Sequence, residues 1–334
     1  MKKHQWQTMD TDRRKWLFAG LGAGICSLTG ASAFAQNAYP TKPMTLVVPF
    51  GAGGTIDVVA RSIAQSMSTR LGQPVIVENV PGAGANIGAA KVAASAPDGY
   101  TMLVLTTAHT INPSLYAKPG YGLNSFDAVG SIGASPCWLF VGDKSPAKTL
   151  QEFVAMMKAR PGELTFGSGG SGTTSHLAVE LFMRRYGLKA THVPYKSSPQ
   201  IYTDLIAGTI DFAMNPVTGT DQLVKAGRLR ALGVAAESRV TAFPNVPTFT
   251  EAGFPGVDVL GWYGLVVPKG VPKMVLTALE SALKFAVNDA TLRANLLVMG
   301  TNTRESSKEE FARYIQAEAK RWSELVAVSG VKAD

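Results

Sequence analysis

The chain has 334 residues and two cysteines, and its formal net charge of +8 falls to +5 without residues 1–35, which hold five basic and two acidic side chains. The remaining Lys and Arg are scattered and form no stripe among aromatic residues, which argues against a nucleic-acid-binding protein. Cys26 lies within residues 1–35 and leaves Cys137 alone, which excludes an intramolecular disulfide in a remainder whose roughly 300 residues favour two domains.

Residues 1–35 predict an export signal. A basic, polar segment precedes an apolar run from Trp16 to about Gly30, and Ala33-Phe34-Ala35 fits the small-x-small rule, so we expect cleavage near Ala35. The run is too short and too rich in glycine to span a membrane, and no later segment offers ~18 uninterrupted apolar residues. Arg13-Arg14 resembles the twin-arginine signal, although paired arginines also occur in ordinary secretory signals. We therefore expect an exported, soluble protein.

The first half of the remaining chain alternates strands and helices. Strands are predicted at about Met44 to Pro49, at "PVIVEN" and at "TMLVLTT", with a helix to about Leu71 after the first and the helix "IGAAKVAASA" after the second. The short links favour parallel strands joined by right-handed crossovers. Ligands of such sheets bind beyond the carboxyl ends of the strands, where the loops from Gly51 and Pro81 and residues 106–109 fall.

The loop Gly51-Ala52-Gly53-Gly54 lies between the first strand and the first helix. The first N–H groups of a helix lack intrahelical partners and lie at its positive end, so this loop could hold an anion without a charged side chain. Thr55-Ile56 stands where a P-loop needs Lys-Ser or Lys-Thr, and Ile56 replaces the third glycine of a dinucleotide fingerprint, so both nucleotide interpretations are weak. The alternative is a tight turn that binds nothing.

The second half repeats this pattern from about Ser135 to Gly256. A strand "CWLFVGD" precedes the helix "TLQEFVAMMKAR" and the strand "ELTFG", and a second loop, "SGGSGTTSH", opens the next helix. Short strands and a helix follow at "KATHVPY", "SPQIYTDLIAG", "TIDFAMNP" and "LRALGVAA", before the strand "WYGLVVP" and the C-terminal helices. Two glycine loops at equivalent places favour a cleft that closes on an anion from both sides.

The second glycine loop also allows other interpretations. Residues 167–172 match G-x-G-x-x-G, but no acidic residue lies between Lys189 and Tyr195, so dinucleotide binding is not favoured. Ser168 or Ser171 with His176 would make a serine-dependent hydrolase or transferase, although no nucleophile-elbow motif is present. No two histidines of the mature chain have metal-ligand spacing, so we expect neither a metal nor a cofactor.

Several single residues near the loops allow two interpretations each. Asp57, in the first turn of its helix, either braces the glycine loop or receives an ammonium group. His109 either contacts a ligand or is a polar loop residue, and Tyr195 either lines the cleft or packs in the fold. Trp138 and Trp262 are expected to fill the core or a hinge.

Long, ordered motifs carry a resemblance to a known family. They are "YPTKPMTLVVPFGAGGTIDVVAR", "LGQPVIVENVPGAGANIGAAKVAASAPDGYTML", "NPSLY", "HVPYK", "AGRLRALGV", "VPTFTEAGFPG" and "WYGLVVPKG". From Tyr39 to "FARYIQAEAKRW", the chain closely resembles the receptors of tripartite tricarboxylate transporters, which are extracytoplasmic solute-binding proteins also called Bug proteins.

The resemblance implies an α/β, two-lobed periplasmic binding protein fold of type II, in which each lobe is a mostly parallel sheet flanked by helices. The implied lobes are about 39–140 plus 260–334, and 141–259. The resemblance further implies a periplasmic receptor, without catalysis, that closes on a small carboxylate and delivers it to the membrane carrier subunits of the transporter. A monomer is the simpler expectation, and a ligand-loaded sensor that docks on a membrane signalling protein is a further alternative.

The predicted ligand contacts come from both glycine loops and from neighbouring strand ends. In the family, the first loop holds the ligand carboxylate through backbone amides, hydroxyl groups and waters, and the second loop grips it from the opposite side. The predicted contacts are Phe50, Gly51, Ala52, Gly53, Gly54, Thr55, Asp57, Thr106, His109, Ser168, Gly169, Gly170, Ser171, Thr173, Tyr195 and Asn215.

Two positions depart from the family pattern. Ser197 follows Lys196 where glycine is common, and Asn215 stands where an acidic or polar residue often lies beside the cleft. Both departures fall where the far end of a ligand could reach. A neutral Asn215 would fit a hydroxyl, an amide or an aromatic nitrogen better than an ammonium group.

Overall fold

The computed structural model describes residues 39–217, 220–241, 243–257, 259–298 and 300–329. The predicted export signal at residues 1–35 lies outside these described residues, together with its cleavage site and its paired arginines. Within the described part of the chain, no helix combines the length and the apolar character that crossing a membrane requires.

The first part of the chain forms parallel strands joined by helices. In chain order these elements are β1 (Met44–Val48), α1 (Thr55–Leu71), β2 (Val75–Asn79), α2 (Asn86–Ala93), β3 (Thr101–Thr106) and α3 (Thr107–Leu115). β1 pairs in parallel with β2 on one side and with β3 on the other. The predicted parallel arrangement is confirmed, and the carboxyl ends of the three strands meet at one edge of the sheet.

The sequence of α1 explains its position on the sheet. Val59, Ile63 and Met67 recur every fourth residue and are fully buried, so they form the apolar face that packs inward. The helix ends at Gly72, whose φ of 68° is left-handed and is the conformation that glycine adopts at low cost.

β4 (Phe126–Gly142) connects two parts of the sheet. Up to Pro136 it pairs antiparallel with β9 (Leu260–Pro268), and from Cys137 it pairs antiparallel with β7 (Phe212–Pro216) and β8 (Leu229–Ala235). The strand begins at Phe126 rather than at the predicted Cys137. Irregular registers opposite β9 around Gly130 and Gly133 break the alternation of side chains by which strands are recognised in a sequence.

The second part repeats the strand-helix alternation. Its further elements are α4 (Leu150–Ala159), β5 (Thr165–Ser168), α5 (Thr174–Tyr186), β6 (Thr191–Pro194), α6 (Ser198–Ala207) and α7 (Asp221–Lys225). β5 pairs in parallel with β6 and β7. After β9 the chain ends with α8 (Lys273–Asn288), α9 (Ala290–Val298), β10 (Asn302–Thr303) and α10 (Lys308–Ser329).

The strands follow the order β2-β1-β3-β9-β4-β7-β5-β6, with β8 and β10 also paired to β4. The sheet is mixed, because β4 and β9 run antiparallel to their neighbours where the chain passes from one part to the other. The predicted α/β class is confirmed. The predicted lobe boundaries at residues 140 and 260 remain a prediction.

α10 contributes to two separate hydrophobic cores. Phe311 and Ile315 pack with the residues of β1, β3 and β9, whereas Trp322 and Val326 pack with those of α4, β5 and α5. Between them, the Glu318 carboxylate is buried and accepts hydrogen bonds from the indole N–H groups of Trp262 and Trp322, both at 3.0 Å. This helix therefore ties β9, beside the carboxyl end of β3, to the second core.

Candidate functional site

A cavity of about 620 Å³, counting the part open to solvent, lies at the carboxyl ends of β1, β3 and β7. We call it the cleft. It is lined by the first turns of α1, α5 and α6 and by residues of β7 and β9. The predicted site residues that line it are Phe50, Gly51, Gly54, Thr55, Thr106, Gly169, Thr173 and Asn215.

A second cavity of about 880 Å³, again counting open space, adjoins the cleft and shares Phe50 and Gly169 with it. Three further predicted residues, Gly170, Ser171 and Tyr195, line this second cavity. The other predicted contacts line neither: Ala52, Gly53, Asp57, His109 and Ser168. Direct ligand contact by these five residues remains a prediction.

Three of the helices that begin at the cleft have no side-chain cap. The N-cap residues of α1, α5 and α6 are Gly54, Thr173 and Ser197, and none of them accepts a hydrogen bond from the first turn of its helix. Their positive dipole ends therefore converge on one cavity. Among the described residues that line the cleft there is no Lys, Arg, His, Asp or Glu. This cleft can attract an anion through backbone groups and hydroxyl groups alone.

The fourth helix at the cleft, α3, is capped by its own residues. The Thr106 backbone N–H donates to His109 Nδ1 at 2.9 Å, and the Thr106 side chain caps the backbone of residue 109 in return. The ring of His109 is fully buried, and burial lowers its pKa to about 4, against the opposing effect of the Thr106 and Ala85 backbone. His109 is thus a neutral residue of the first helical turn, not the polar loop residue of the alternative interpretation.

Asp57 braces the first glycine loop. Its carboxylate is buried and accepts hydrogen bonds from the Gly53 backbone N–H at 2.9 Å, from Asn79 Nδ2 at 2.9 Å and from Arg61 Nε at 3.0 Å. Asn79 also donates to the Phe50 carbonyl at 3.0 Å. Burial by itself would raise the pKa of Asp57, but the hydrogen bonds from Arg61, Gly53 and Asn79 outweigh it and lower the pKa. Of the two interpretations, the contacts favour the brace.

The two sides of the cleft touch in this conformation. The Gly51 N–H donates to the Lys196 carbonyl at 3.1 Å, and a Cβ on Gly51 would lie 2.8 Å from Ser197 Cβ. Tyr116 Oη donates to the Ser171 carbonyl at 2.8 Å, beside Gly84, where no side chain fits. Glycine is therefore required at residues 51 and 84 because opposing backbone comes within contact distance.

The hydroxyl of Ser168 lies in a hydrogen-bond network beneath the second glycine loop. Ser168 Oγ is 2.6 Å from His192 Nε2, and the His192 ring stacks on His176 with centroids 4.0 Å apart. His176 Nδ1 accepts the Gly172 N–H at 3.2 Å. Ser168 is fully buried and does not line the cleft, so this network supports the loop that forms the cleft wall.

Polar side chains without partners lie at the inner end of the cleft, beside β7 and β9. Asn215 and Tyr263 both line it and are 3% and 2% exposed. Neither Asn215 Nδ2 nor the Tyr263 hydroxyl has a hydrogen-bond partner. Tyr195, by contrast, donates from Oη to Asp204 Oδ2 at 2.6 Å, and burial together with Asp204 raises its pKa to about 12.

Several cleft residues were not predicted. They lie in the first turns of α1, α5 and α6 and in the strands β7 and β9, and the residues are Ile56, Thr174, Ser175, Ser198, Pro216, Gly261, Trp262 and Tyr263. Ser197, noted only as a departure from the family pattern, is the N-cap of α6. The signal for β9 was the alternation of Gly261 and Tyr263, which puts both on one face of the strand. Within the described residues, no cluster of His, Cys, Asp and Glu could hold a metal ion.

Comparison with known proteins identifies close relatives along almost the whole chain. The profile of the tripartite tricarboxylate transporter family receptor matches residues 59–331. A UPF0065 protein of Bordetella pertussis is 33% identical over 311 residues, which are 93% of this chain and 96% of that protein. Protein BugT of the same organism is 31% identical over 319 residues, covering 95% of this chain and 98% of BugT.

Solved structures agree with these relatives. Periplasmic binding protein BugD is 32% identical, with a TM-score of 0.86 over 89% of this chain and 100% of that one. R. palustris Rpa4515 with adipate is 31% identical, with a TM-score of 0.85 and the same coverage. MatC of Rhodopseudomonas palustris with bound malate is 31% identical, with a TM-score of 0.82 over 86% of this chain and 100% of MatC.

These relatives confirm the predicted two-lobed periplasmic binding protein fold and the resemblance to Bug proteins. In this chain the long β4 connects the two parts of the sheet, and glycine loops at strand ends line the uncharged cleft. The chain belongs to the tripartite tricarboxylate transporter receptor family.

Proposed function

We propose that this protein is a periplasmic receptor that captures a small organic carboxylate by closing its cleft and delivers it to the membrane carrier subunits of a tripartite transporter. The observation that carries the proposal is the convergence of three uncapped helix N-termini on a cleft without charged side chains. One carboxylate suits such a site, because backbone N–H groups donate to it and the helix dipoles favour its charge.

Two of the related structures support the ligand class. Rpa4515 was solved with adipate and MatC with malate, and both ligands are small organic acids. The two structures cover 89% and 86% of this chain. The family's role as a transporter receptor supports delivery to a membrane carrier, and a monomer suits a receptor that must hand over its solute.

The contacts across the cleft support capture by closure. The Gly51 N–H bond to Lys196 and the Tyr116 bond to Ser171 join segments more than fifty residues apart in sequence. A ligand that contacts both sides of the cleft would add to these bonds and stabilise the form in which the two sides touch. A ligand buried in this way must satisfy each polar group it meets, since an unpaired one costs about 1–3 kcal/mol.

A serine-dependent hydrolase is the second candidate, with a different histidine from the expected His176, because Ser168 Oγ lies 2.6 Å from His192 Nε2. We favour the receptor, since Ser168 is fully buried and the Ser168 hydroxyl also hydrogen-bonds with the backbone of Gly170. A non-enzymatic role predicts stoichiometric binding without product. A sensor role would be favoured by a neighbouring gene for a sensor kinase, and transport by neighbouring genes for large and small carrier subunits.

A thermal-shift screen of residues 36–334 tests the proposal. The panel contains mono-, di- and tricarboxylates, aromatic acids and acidic amino acids, each paired with its neutral amide. A ligand at a hundred times its Kd stabilises the fold by ~2.7 kcal/mol, which raises Tm by a few degrees. We expect one class of acid to raise Tm and its amides to leave Tm unchanged.

The screen needs two controls. Denaturing extraction followed by mass spectrometry shows whether the protein was purified with a ligand already bound. Incubation of each stabilising acid's esters and amides with the protein shows whether product forms. Stabilisation by amides as strongly as by acids, or turnover that Ser168→Ala abolishes, would reject the carboxylate receptor.

A further inference from the structure

We infer that the far end of the ligand carries an uncharged oxygen acceptor, a hydroxyl or carbonyl group, bound by Asn215 Nδ2 and the Tyr263 hydroxyl. This inference rests on the proposed function and names the ligand class of the same cleft. It assigns to this chain a hydroxy or oxo acid with a single carboxylate, in preference to an amino acid or a dicarboxylate.

The first observation is a pair of unpaired donors. Asn215 is 3% and Tyr263 is 2% exposed, both line the cleft, and neither Asn215 Nδ2 nor Tyr263 Oη has a partner. Burial raises the pKa of Tyr263, so its hydroxyl keeps its proton. Buried donors in native proteins are almost always paired. A ligand oxygen that accepts from these two would offset the free energy that their desolvation costs.

The surroundings of each donor explain why the protein itself does not satisfy it. The hydroxyls of Ser135 and Thr301 hydrogen-bond with each other at 2.6 Å, and both act on the Tyr263 oxygen in the direction that lowers its pKa, so it is the O–H proton of Tyr263 that is left for a ligand acceptor. Asn215 lies opposite Trp138 across the β4–β7 pair, and Trp138 Nε1 is another unpaired donor. Trp138 does not line the cleft. An incoming acceptor therefore meets Asn215 and Tyr263 first.

The donor chemistry selects against an ammonium group. An amide NH₂ and an ammonium both donate and cannot pair with each other, whereas a hydroxyl or carbonyl oxygen accepts. No Asp or Glu lines the cleft among the described residues, so an ammonium would have no charged partner there. Amino acids are therefore poor ligands at this end.

The charge of the cleft selects against a second carboxylate. Each uncapped helix N-terminus carries about half a positive charge, so three of them balance roughly one to one and a half negative charges. No cationic side chain among the described cleft residues adds to this. A single carboxylate at the glycine loops uses most of that charge, and a second one at the inner end would be buried against neutral donors.

Isothermal titration calorimetry with acids that differ only at the far end tests the inference. The four-carbon series is gamma-hydroxybutyrate, succinate, gamma-aminobutyrate and butyrate, with the corresponding three-carbon and five-carbon series alongside. In at least one series, we expect the hydroxy acid to bind wild-type protein about tenfold more tightly than the other three. Asn215→Asp should weaken the hydroxy acid about tenfold and strengthen the amino acid, because its carboxylate accepts from an ammonium group.

Tyr263→Phe removes only the hydroxyl and should weaken the hydroxy acid about fivefold, while the Tm of the ligand-free protein stays the same or rises because an unpaired donor is gone. Tyr121→Phe is the matched control, since the buried Tyr121 hydroxyl donates to the His109 carbonyl at 3.2 Å and does not line the cleft. It should lower Tm and leave affinity unchanged.

If Asn215→Asp fails to fold, Asn215→Leu replaces it and is measured beside Tyr263→Phe. We expect the same loss of affinity for the hydroxy acid, about tenfold.

Three results would overturn the inference. Tighter binding of succinate than of the hydroxy acid would mean that the inner end holds a second charge. Wild-type affinity in Tyr263→Phe and in the Asn215 variants would mean that neither donor meets the ligand. If no acid of any series binds but the thermal-shift screen finds another acid, or if binding ignores the far-end group, only this inference fails; if no acid in that screen binds either, the proposed function fails as well.

Discussion

The N-termini of α1 and α3 both lie at the cleft, but only one of them is capped. α3 satisfies its first turn through Thr106 and His109, which bond to each other's backbone. The N-cap of α1, Gly54, provides no side-chain cap, and Asp57 in the first turn of the helix holds the preceding loop through the Gly53 N–H. The difference separates two uses of a helix start: the capped one builds the fold, and the uncapped one can receive a ligand.

Gly51→Val should have the largest effect, because it disturbs the uncapped side. Gly51 has no positive φ, so the new side chain brings no backbone strain, but its Cβ would lie 2.8 Å from Ser197 Cβ and 3.0 Å from the Lys196 carbonyl. The cleft would then be held open. We expect about a hundredfold weaker binding of the best acid from the thermal-shift screen, measured by calorimetry.

The matched control for that variant is Gly72→Ala. Gly72 has a φ of 68° and no atom within 4 Å of the added Cβ, so this change strains the backbone far from the cleft. It should lower the stability by about 1 kcal/mol and leave affinity unchanged. Unchanged affinity in Gly51→Val would show that the contact between Gly51 and Lys196 is not part of ligand capture.

Asp57→Asn tests the support behind the uncapped helix. The change removes a charge that is hydrogen-bonded to Gly53, Asn79 and Arg61, and we expect a loss of about 2 kcal/mol of stability at pH 7. Because the folded pKa lies below the usual 3.8, this stability is complete above about pH 4 and is lost as the pH falls through the folded value.

Urea unfolding of wild type and Asp57→Asn across pH 2–7 measures this effect. The two curves of stability against pH should converge at the acid end. Parallel curves over the whole range would mean that Asp57 is not charged in the folded protein and that the brace has another origin.

His109→Gln tests the capped helix. Glutamine at this position keeps the capping box, whereas His109→Ala loses it and should cost about 1 kcal/mol. In wild type the folded pKa is about 4, below the usual 6.5, so the unfolded chain takes up a proton first. The free energy of unfolding should therefore decrease by about 1.4 kcal/mol for each unit by which the pH is lowered from 6.5 to 4.

The glutamine variant should lack this slope between pH 6.5 and 4 and keep the affinity for the best acid. Thermal unfolding over that range and calorimetry at pH 7 provide the two measurements. A tenfold loss of affinity in a folded His109→Gln protein would instead make His109 a ligand contact.

Ser197→Ala and Thr149→Ala give the smallest effects and the sharpest contrast. Thr149 caps α4 by accepting the Glu152 N–H at 3.2 Å, so its loss should cost about 1 kcal/mol of stability without changing affinity. Ser197 makes no such cap bond but lines the cleft. Ser197→Ala should weaken binding about threefold and leave Tm unchanged. Equal losses of Tm in Ser197→Ala and Thr149→Ala would contradict this expectation.

The sequence predicted the parts of the site that depend on local order. The first loop was recognised because Gly51 to Gly54 follow an apolar run and precede a helical pattern, and the structure brings that loop to the cleft. The parallel pairing of β1 with β2 and β3 was predicted from the short links between alternating elements.

Contacts between distant segments could not be predicted in this way. Ser168 meets His192 because β5 and β6 are neighbours in register, and no spacing along the chain signals that pair. Tyr263 reaches the cleft only because β9 runs antiparallel between β3 and β4. The role of His109 was missed because a capping box normally has Glu or Gln at its third position.

A binding site built from peptide dipoles has no proton of its own to gain or lose. None of the described residues that line the cleft titrates near neutrality, and the nearest brace, Asp57, has a lowered pKa. The lining of the cleft should then add no pH dependence of its own to the affinity between pH 5 and 9 for an acid that is ionised throughout, which calorimetry over this range would check.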